Sequence, residues 1–259
     1  MKKIRIRLEN EQGNVALFVL GLISIMILLF LLILNLAGAL IVKEQAVSTS
    51  QQAALAATAT LYEELPGFIL SYEKDLKKFI EEEEAAKEKE EAAKEEESPE
   101  EPAEPEVPEA PVEEKKEKSI DELIDEEAEK LSGEMADYTL NEIRNEAIDR
   151  ILAKELDKGL GNGMLKEKMS LELEFDWIKS MKESARNAIL ANGGELDGAV
   201  MTVFEDGQIV VESSREVGAI GYNGFFAGIK ESLFKSSKGP EVKFVQKLPG
   251  WEGRTYSLE

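Results

Sequence analysis

With no His and no Cys among its 259 residues, this chain lacks the commonest general base, the commonest metal ligand and any thiolate, and it forms no disulfide. Catalysis would fall to Ser, Lys, Tyr or carboxylates, and the sequence shows no Ser-Lys signature and no nucleophile with an adjacent base. Gly159-Leu-Gly-Asn-Gly163 follows a helical pattern rather than a strand and lacks the Lys-Ser/Thr of a phosphate cradle, so it reads as a turn. Carboxylates abound, but nowhere in the roughly twelve-residue alternation of a Ca²⁺ loop. No catalytic residue, cofactor or metal site is expected. The chemistry left is packing: Gly21, Ser24, Asn35 and Gly38 interrupt an apolar helix, and Ala53, Ala54 and Ala57 follow it, all types that let a second helix approach closely or bond across the gap.

The element that carries them is plain. No charged residue lies between Glu11 and Lys43, and Val15–Leu34 holds sixteen Val, Leu, Ile and Phe. A bilayer core about 30 Å thick needs about 20 apolar residues to cross as a helix, so Asn14–Val42 spans it with room to tilt. At about −0.3 to −0.6 kcal/mol for each such residue, insertion outweighs the cost of Asn35. Lys2, Lys3, Arg5 and Arg7 precede the span and only Lys43 closely follows it, which places the N-terminus in the cytoplasm of a single-pass cell-membrane protein and the C-terminal bulk outside. Ala37-Gly38-Ala39 has the form of a signal-peptide cleavage site at Ala39, but the apolar run exceeds an h-region of about 7 to 15 residues and reads as an uncleaved anchor. With 53 acidic against 31 basic residues, net charge −22, the exterior part is unsuited to nucleic acid.

Downstream, the expected fold class is α+β. Residues 1–13 are a basic cytoplasmic tail, and 14–62 are the span with an Ala-rich extension that stays helical until Pro66-Gly67. Residues 63–80 form a short amphipathic segment. Residues 81–118 form an acidic Glu/Lys/Pro stalk, disordered or extended, whose Glu81–Glu97 part is helix-prone but has no apolar face to bury, and in which Pro99, Pro102, Pro105, Pro108 and Pro111 repeat with the polyproline II period. The exterior domain, 119–259, opens on Ser119-Ile-Asp-Glu122, a capping box, and Gly133 breaks the first helix. A second apolar stripe runs from Tyr138 to Leu156, and Met169–Phe175 alternates as a strand does, with helical spacing as its rival. A helix from Trp177 ends at Asn192-Gly193, and Ala199–Glu205 and Gln208–Ser214 flank Asp206-Gly207, the pair a type I′ hairpin turn favours. Tyr222, Phe225 and Phe226 pack the sheet, a short helix runs through Leu233, Lys238-Gly239-Pro240 turns the chain, and Val242–Lys247 is the last strand of a short antiparallel sheet.

Glu11-Gln12-Gly13-Asn14-Val15-Ala16, Asn35-Leu36-Ala37-Gly38, Gln45-Ala46-Val47 and Ala53-Ala54-Leu55-Ala56-Ala57 together resemble the N-terminal region of TadG-like (TadE/TadG) proteins of Flp/Tad pilus assembly, over roughly Glu9–Tyr62. A weaker resemblance to the exterior regions of such proteins runs through Ala185–Gly194, the hairpin, Gly221–Gly228 and the closing strand. The chain departs from the family pattern at Gln51 and Gln52, where an acidic residue is often found, and at Asn35, where Asp is common. Gly13 is the candidate prepilin-type processing site, with Phe18 in place of the usual Glu. The resemblance implies a non-enzymatic, membrane-anchored subunit, minor pseudopilin-like or accessory, whose partners are other pilus-assembly or pseudopilin-like subunits. The alternative is a general surface protein, structural or ligand-sensing, that presents a C-terminal binding domain on the acidic stalk.

Overall fold

The structure, a computed structural model, describes residues 11–95, 118–135, 137–158, 162–217 and 231–259. Helix α1 takes in Glu11–Glu95, 85 residues and about 130 Å at 1.5 Å per residue. Helices α2 (Ile120–Glu134), α3 (Leu140–Asp157) and α4 (Asn162–Glu172) follow, then a π turn (Leu173–Trp177) that leads directly into α5 (Ile178–Ala191). Strands β1 (Glu195–Glu205), β2 (Gln208–Val217), β3 (Glu231–Glu241) and β4 (Arg254–Ser257) form one antiparallel sheet in the order β3-β2-β1-β4, with a 3-10 turn at Phe244–Lys247. The α+β class is as expected.

The first correction concerns α1, which does not end at Pro66-Gly67. Proline inside a helix costs about 3 kcal/mol because it removes a hydrogen bond and crowds the preceding turn. Here Pro66 is only partly buried and Gly67 exposed, while Leu65, Phe68, Ile69 and Tyr72 on the other side are buried in the core, so packing on both sides of the proline holds the helix together. The helix also runs through residues 81–95, the helix-prone part of the acidic segment; Glu, Lys and Ala are good helix formers, and Lys87 pairs with Glu83 one turn away. The proline repeat from Pro99 to Pro111 lies outside the described residues.

The second correction concerns what stands between membrane and domain. Ala46, Thr49, Ser50, Ala53, Ala54, Ala57 and Leu61 are buried, and α1 from Ala53 to Tyr72 shares one core with residues 120–258. The domain is therefore seated on the helix within about a turn of Val42, and the acidic segment does not separate the two. Residues 77–95 lead away from the body, and the chain comes back to it where the Ile120 N–H donates to the carboxylate of Glu73.

Inside the domain the capping box at Ser119 forms, with the Glu122 N–H donating to Ser119 Oγ at 3.1 Å and Glu122 accepting from the Ser119 N–H. Thr139 and Glu142 repeat it at α3. Gly133 does not break α2, which continues to Glu134, and Tyr138 is exposed ahead of α3 rather than on its buried stripe. Met169–Phe175 is helical, not a strand. Leu165, Met169, Leu173, Trp177, Met181, Ala185 and Ile189 are all buried at four-residue spacing, while Leu171 and Phe175 face solvent. Four residues overshoot a 3.6-residue turn by about 40° each time, and the wider π turn returns part of that drift, keeping Leu173 and Trp177 on the core side.

The hairpin forms as expected, with Asp206 and Gly207 at φ 53° and 76° in its turn. The residues through Leu233 that were expected to be helical are, from Glu231, the start of β3. Lys238-Gly239-Pro240 does not turn the chain. It sits within that edge strand where the register against β2 shifts, the kind of position that tolerates a proline. Val242–Lys247 is not a strand because its backbone donors are engaged elsewhere: Val242 N–H reaches Gly207 O, and the Lys243 and Phe244 N–H groups go to Asp149. The closing strand is Arg254–Ser257. The aromatic stretch Gly221–Gly228 lies outside the described residues.

Candidate helix-packing surface

Along α1 the small residues separate into two groups about 22 Å apart, from Gly38 to Ala53 at 1.5 Å per residue. At about 100° per residue, Gly21, Ser24, Asn35 and Gly38 fall in one sector roughly 100° wide. A Cβ on Gly21 would meet no atom within 4 Å, so this position is open for another helix. Ser24 Oγ donates to Leu20 O at 2.8 Å, which satisfies the hydroxyl within its own turn. Asn35 and Gly38 are partly buried, and Gly13 lies in the first turn of α1. Among the described residues this is one helix long and apolar enough to cross a membrane, with mean hydropathy 3.3 in its most apolar window and none of that window buried.

The second group is already occupied. Ala53, Ala54 and Ala57 are each 0% exposed, packed within the domain rather than presented to another chain. Their size lets the sheet come close: a Cβ on Gly239 of β3 would lie 2.6 Å from Thr58 Oγ1 and 3.1 Å from Ala54 O. Hydroxyls stitch the seam. Ser50 Oγ donates to Lys235 O at 2.6 Å and lies 2.8 Å from Ser213 Oγ, Ser237 Oγ donates to Val47 O, and Thr60 Oγ1 donates to Ser184 Oγ of α5. Each is a short polar group that gains a partner without holding the layers apart, worth about 0.5–1.5 kcal/mol.

One buried charge went unanticipated. Asp149, 2% exposed on α3, accepts from Tyr62 Oη of α1 at 2.8 Å and from the Lys243 N–H at 3.1 Å. It joins the anchor helix to α3 and to the 3-10 turn. Burial pushes its carboxyl up to about 6 despite the hydrogen bonds from Tyr62, Phe244 and Lys243. The same burial, with Asp149 beside it, pushes the Tyr62 phenol above its ordinary range. Neighbouring Glu146 is opposed by burial, yet hydrogen bonds from Lys243 and Arg150 hold it below the usual carboxylate range. The clue in the sequence was position: Asp149 sits between Ile148 and Ile151 on the apolar side of α3.

A cavity of about 480 Å³ under the hairpin tip is lined by Phe204, Gln246, Leu248 and the carboxylates of Asp206 and Glu252, with Asp206 paired to Lys238. Among the described residues no group of three or more Asp or Glu is placed to hold a metal ion.

The geometry defines a helix that serves two environments: apolar on all sides over its first half, and over its second half the core of an α+β domain. Residues 13–60 match the TadE/G-like Flp pilus-assembly family model. The match spans both packing groups and supports a role related to pilus assembly and an attachment to the membrane. It covers the first of the two stretches that carried the resemblance. Comparisons with curated proteins and with solved structures gave no match.

Proposed function

We propose that this chain is a non-enzymatic subunit, minor pseudopilin-like or accessory, of a Flp/Tad-type pilus-assembly or secretion apparatus. It is held in the cell membrane by a single span, with the N-terminus in the cytoplasm and the domain outside. The observation that carries this reading is the division of labour along α1, whose family-matched segment runs without a break from the apolar half into the domain core. Such a subunit works by packing. In lipid, where apolar burial gives no drive, close contacts at Gly21 and Gly38 and a hydrogen bond from Asn35 would hold a neighbouring helix. Ala53, Ala54 and Ala57 contribute differently, by fixing the domain to its own helix.

Photo-crosslinkers placed at positions 21 and 38 of the protein in its native membrane test this reading. Adducts with other single-span pilus-assembly subunits are expected, and their absence from both positions under gentle extraction would refute it. Mass analysis of the mature N-terminus decides whether Gly13 is cut.

A further inference from the structure

Contacts along α1 fix which end of the sheet meets the span. Down β3, Gly239 lies against Thr58 and Ala54, and then Lys235 O accepts from Ser50 Oγ, with Ser213 of β2 alongside, so this end of the β2–β3 ladder descends toward the membrane. The ladder ends where Val217 pairs with Glu231, four residues and about 13 Å beyond Lys235, which brings it within about a turn of Val42. Residues 218–230, which join the two strands, lie outside the described residues and carry no charge before Lys230. They include Ile220, Tyr222, Phe225, Phe226 and Ile229, apolar area that costs free energy when left in water. On α1 itself, Ala39 and Val42 are partly buried, while Leu36, Leu40 and Ile41 around them are 59%, 55% and 59% exposed. At about 100° per residue, Ala39 and Val42 share a sector about 60° wide with Ala46 and Ala53, both 0% exposed. The side of the helix that the sheet covers therefore continues past Val42. Val15–Leu34 alone fills a hydrocarbon core about 30 Å thick, so Ala39 and Val42 stand at headgroup depth, where a non-helical segment keeps water for its backbone groups.

We propose that Ala39 and Val42 are the docking site of this chain's own residues 218–229, which extend the seam between α1 and the sheet down to the membrane surface. Reach and composition select this occupant. The segment starts and finishes within about a turn of Val42, and half its length, about 20 Å when extended, exceeds the 4.5 Å or so from Val42 to Ala39. Of the other long stretches outside the described residues, 1–10 precede the span at its far end and 96–117 are dominated by Glu and Pro. Small Ala39 lets the segment approach, and its aromatic rings suit the headgroup layer beside it. Gly21, proposed above to meet a neighbouring helix, lies about 27 Å further along α1, so that reading and this one fail separately.

The chain has no Cys, so introduced thiols report on chosen positions alone. The test uses the full chain in zwitterionic nanodiscs, one chain per disc, with Ala39→Cys/Gly224→Cys as the probe pair and Ile41→Cys/Gly224→Cys as control, Ile41 being about 160° round the helix. A disulfide needs Cα atoms within about 7 Å, and on mild oxidation the probe pair should close at least about tenfold faster than the control. Equal rates, or no closure in either, overturn the proposal. Closure only in discs that hold two chains would make a second copy the occupant and overturns it too. In a second measurement, Gly224→Cys alone should react slowly with a water-soluble maleimide, and adding Ala39→Trp, which fills the site, should raise that rate at least about fivefold. A rate that Ala39→Trp leaves unchanged would assign the cover of residues 218–229 to lipid and likewise overturn the proposal.

Discussion

The two halves of α1 obey opposite rules. From Val15 to Ile41 the helix is apolar all round, its large side chains exposed at any angle, and only scattered Gly, Ser and Asn distinguish one side. From Ala46 to Tyr72 it is periodic: small and apolar residues are buried on one side, and Gln51, Gln52, Glu63 and Glu64 are exposed on the other. The first half suits a solvent with no sidedness, and its specificity must come from shape. The second suits an interface between water and a sheet, and its small residues are consumed in letting that sheet approach. Small residues on a helix thus carry two meanings, and the structure tells them apart by what lies opposite.

Paired glycine substitutions break this contrast most sharply. Gly239→Val, forced against Thr58 Oγ1 and Ala54 O, should destabilise the domain by about 3 kcal/mol, whereas Gly21→Val, which meets nothing, should leave it within about 0.5 kcal/mol. Urea unfolding followed through Trp177 and Trp251 reads both, and equal losses would erase the distinction. Next in size is the Asp149 clasp. Asp149→Ala strips partners from Tyr62 and two backbone N–H groups and should cost about 2 kcal/mol, with Asp149→Asn milder.

The clasp also gives a pH signature. The folded-state pKa of Asp149 is raised from 3.8 to about 6, so its contribution is full below pH ~4 and is lost as pH rises through about 6, on the order of 3 kcal/mol in all. Asp149→Asn should flatten that decline. Glu146 and Glu142, held below their ordinary values, act in the opposite sense: their contribution is present above about pH 4.5 and lost as pH falls through their folded pKa values.

In the lipid half, Asn35→Leu should weaken association with a neighbouring helix by about 0.5–1 kcal/mol without changing urea unfolding of the domain, measurable by energy transfer between labelled subunits in vesicles. The smallest effect is expected from replacing residues 81–117 with a flexible linker of about ten residues: domain stability within about 0.5 kcal/mol of wild type, because the flanking chain leaves and rejoins the body near Glu73. A collapse of the domain would mean that the acidic segment supports it after all.

Elements whose local chemistry and packing agree were legible beforehand. Ser119 with Glu122, Asp206 with Gly207, and the apolar run to Val42 each state their own structure within a few residues. What was missed depended on partners distant in the chain. Pro66 reads as a stop until Leu65, Phe68 and Ile69 are seen in a core built from residues 120–258. Phe244 and Val245 read as strand until Asp149, about 95 positions earlier, takes the backbone donors of that turn. Period two and period four coincide at Met169 and Leu173, and only burial separates them. The small residues of the surface were visible by type, but that Ala53, Ala54 and Ala57 would be covered by their own domain was not, since no local pattern says which surface will arrive.

The uninterrupted passage of α1 through residues 42–49 has a mechanical consequence. With no loop or glycine there to act as a hinge, anchor and domain form a single lever. Drawing the helix one residue along its axis carries the domain about 1.5 Å with it, and advancing it by a residue as a screw would also swing the sheet through about 100° around the helix. Force or torque applied in the bilayer would thus arrive at Asp149 and the strands as motion, with little lost on the way.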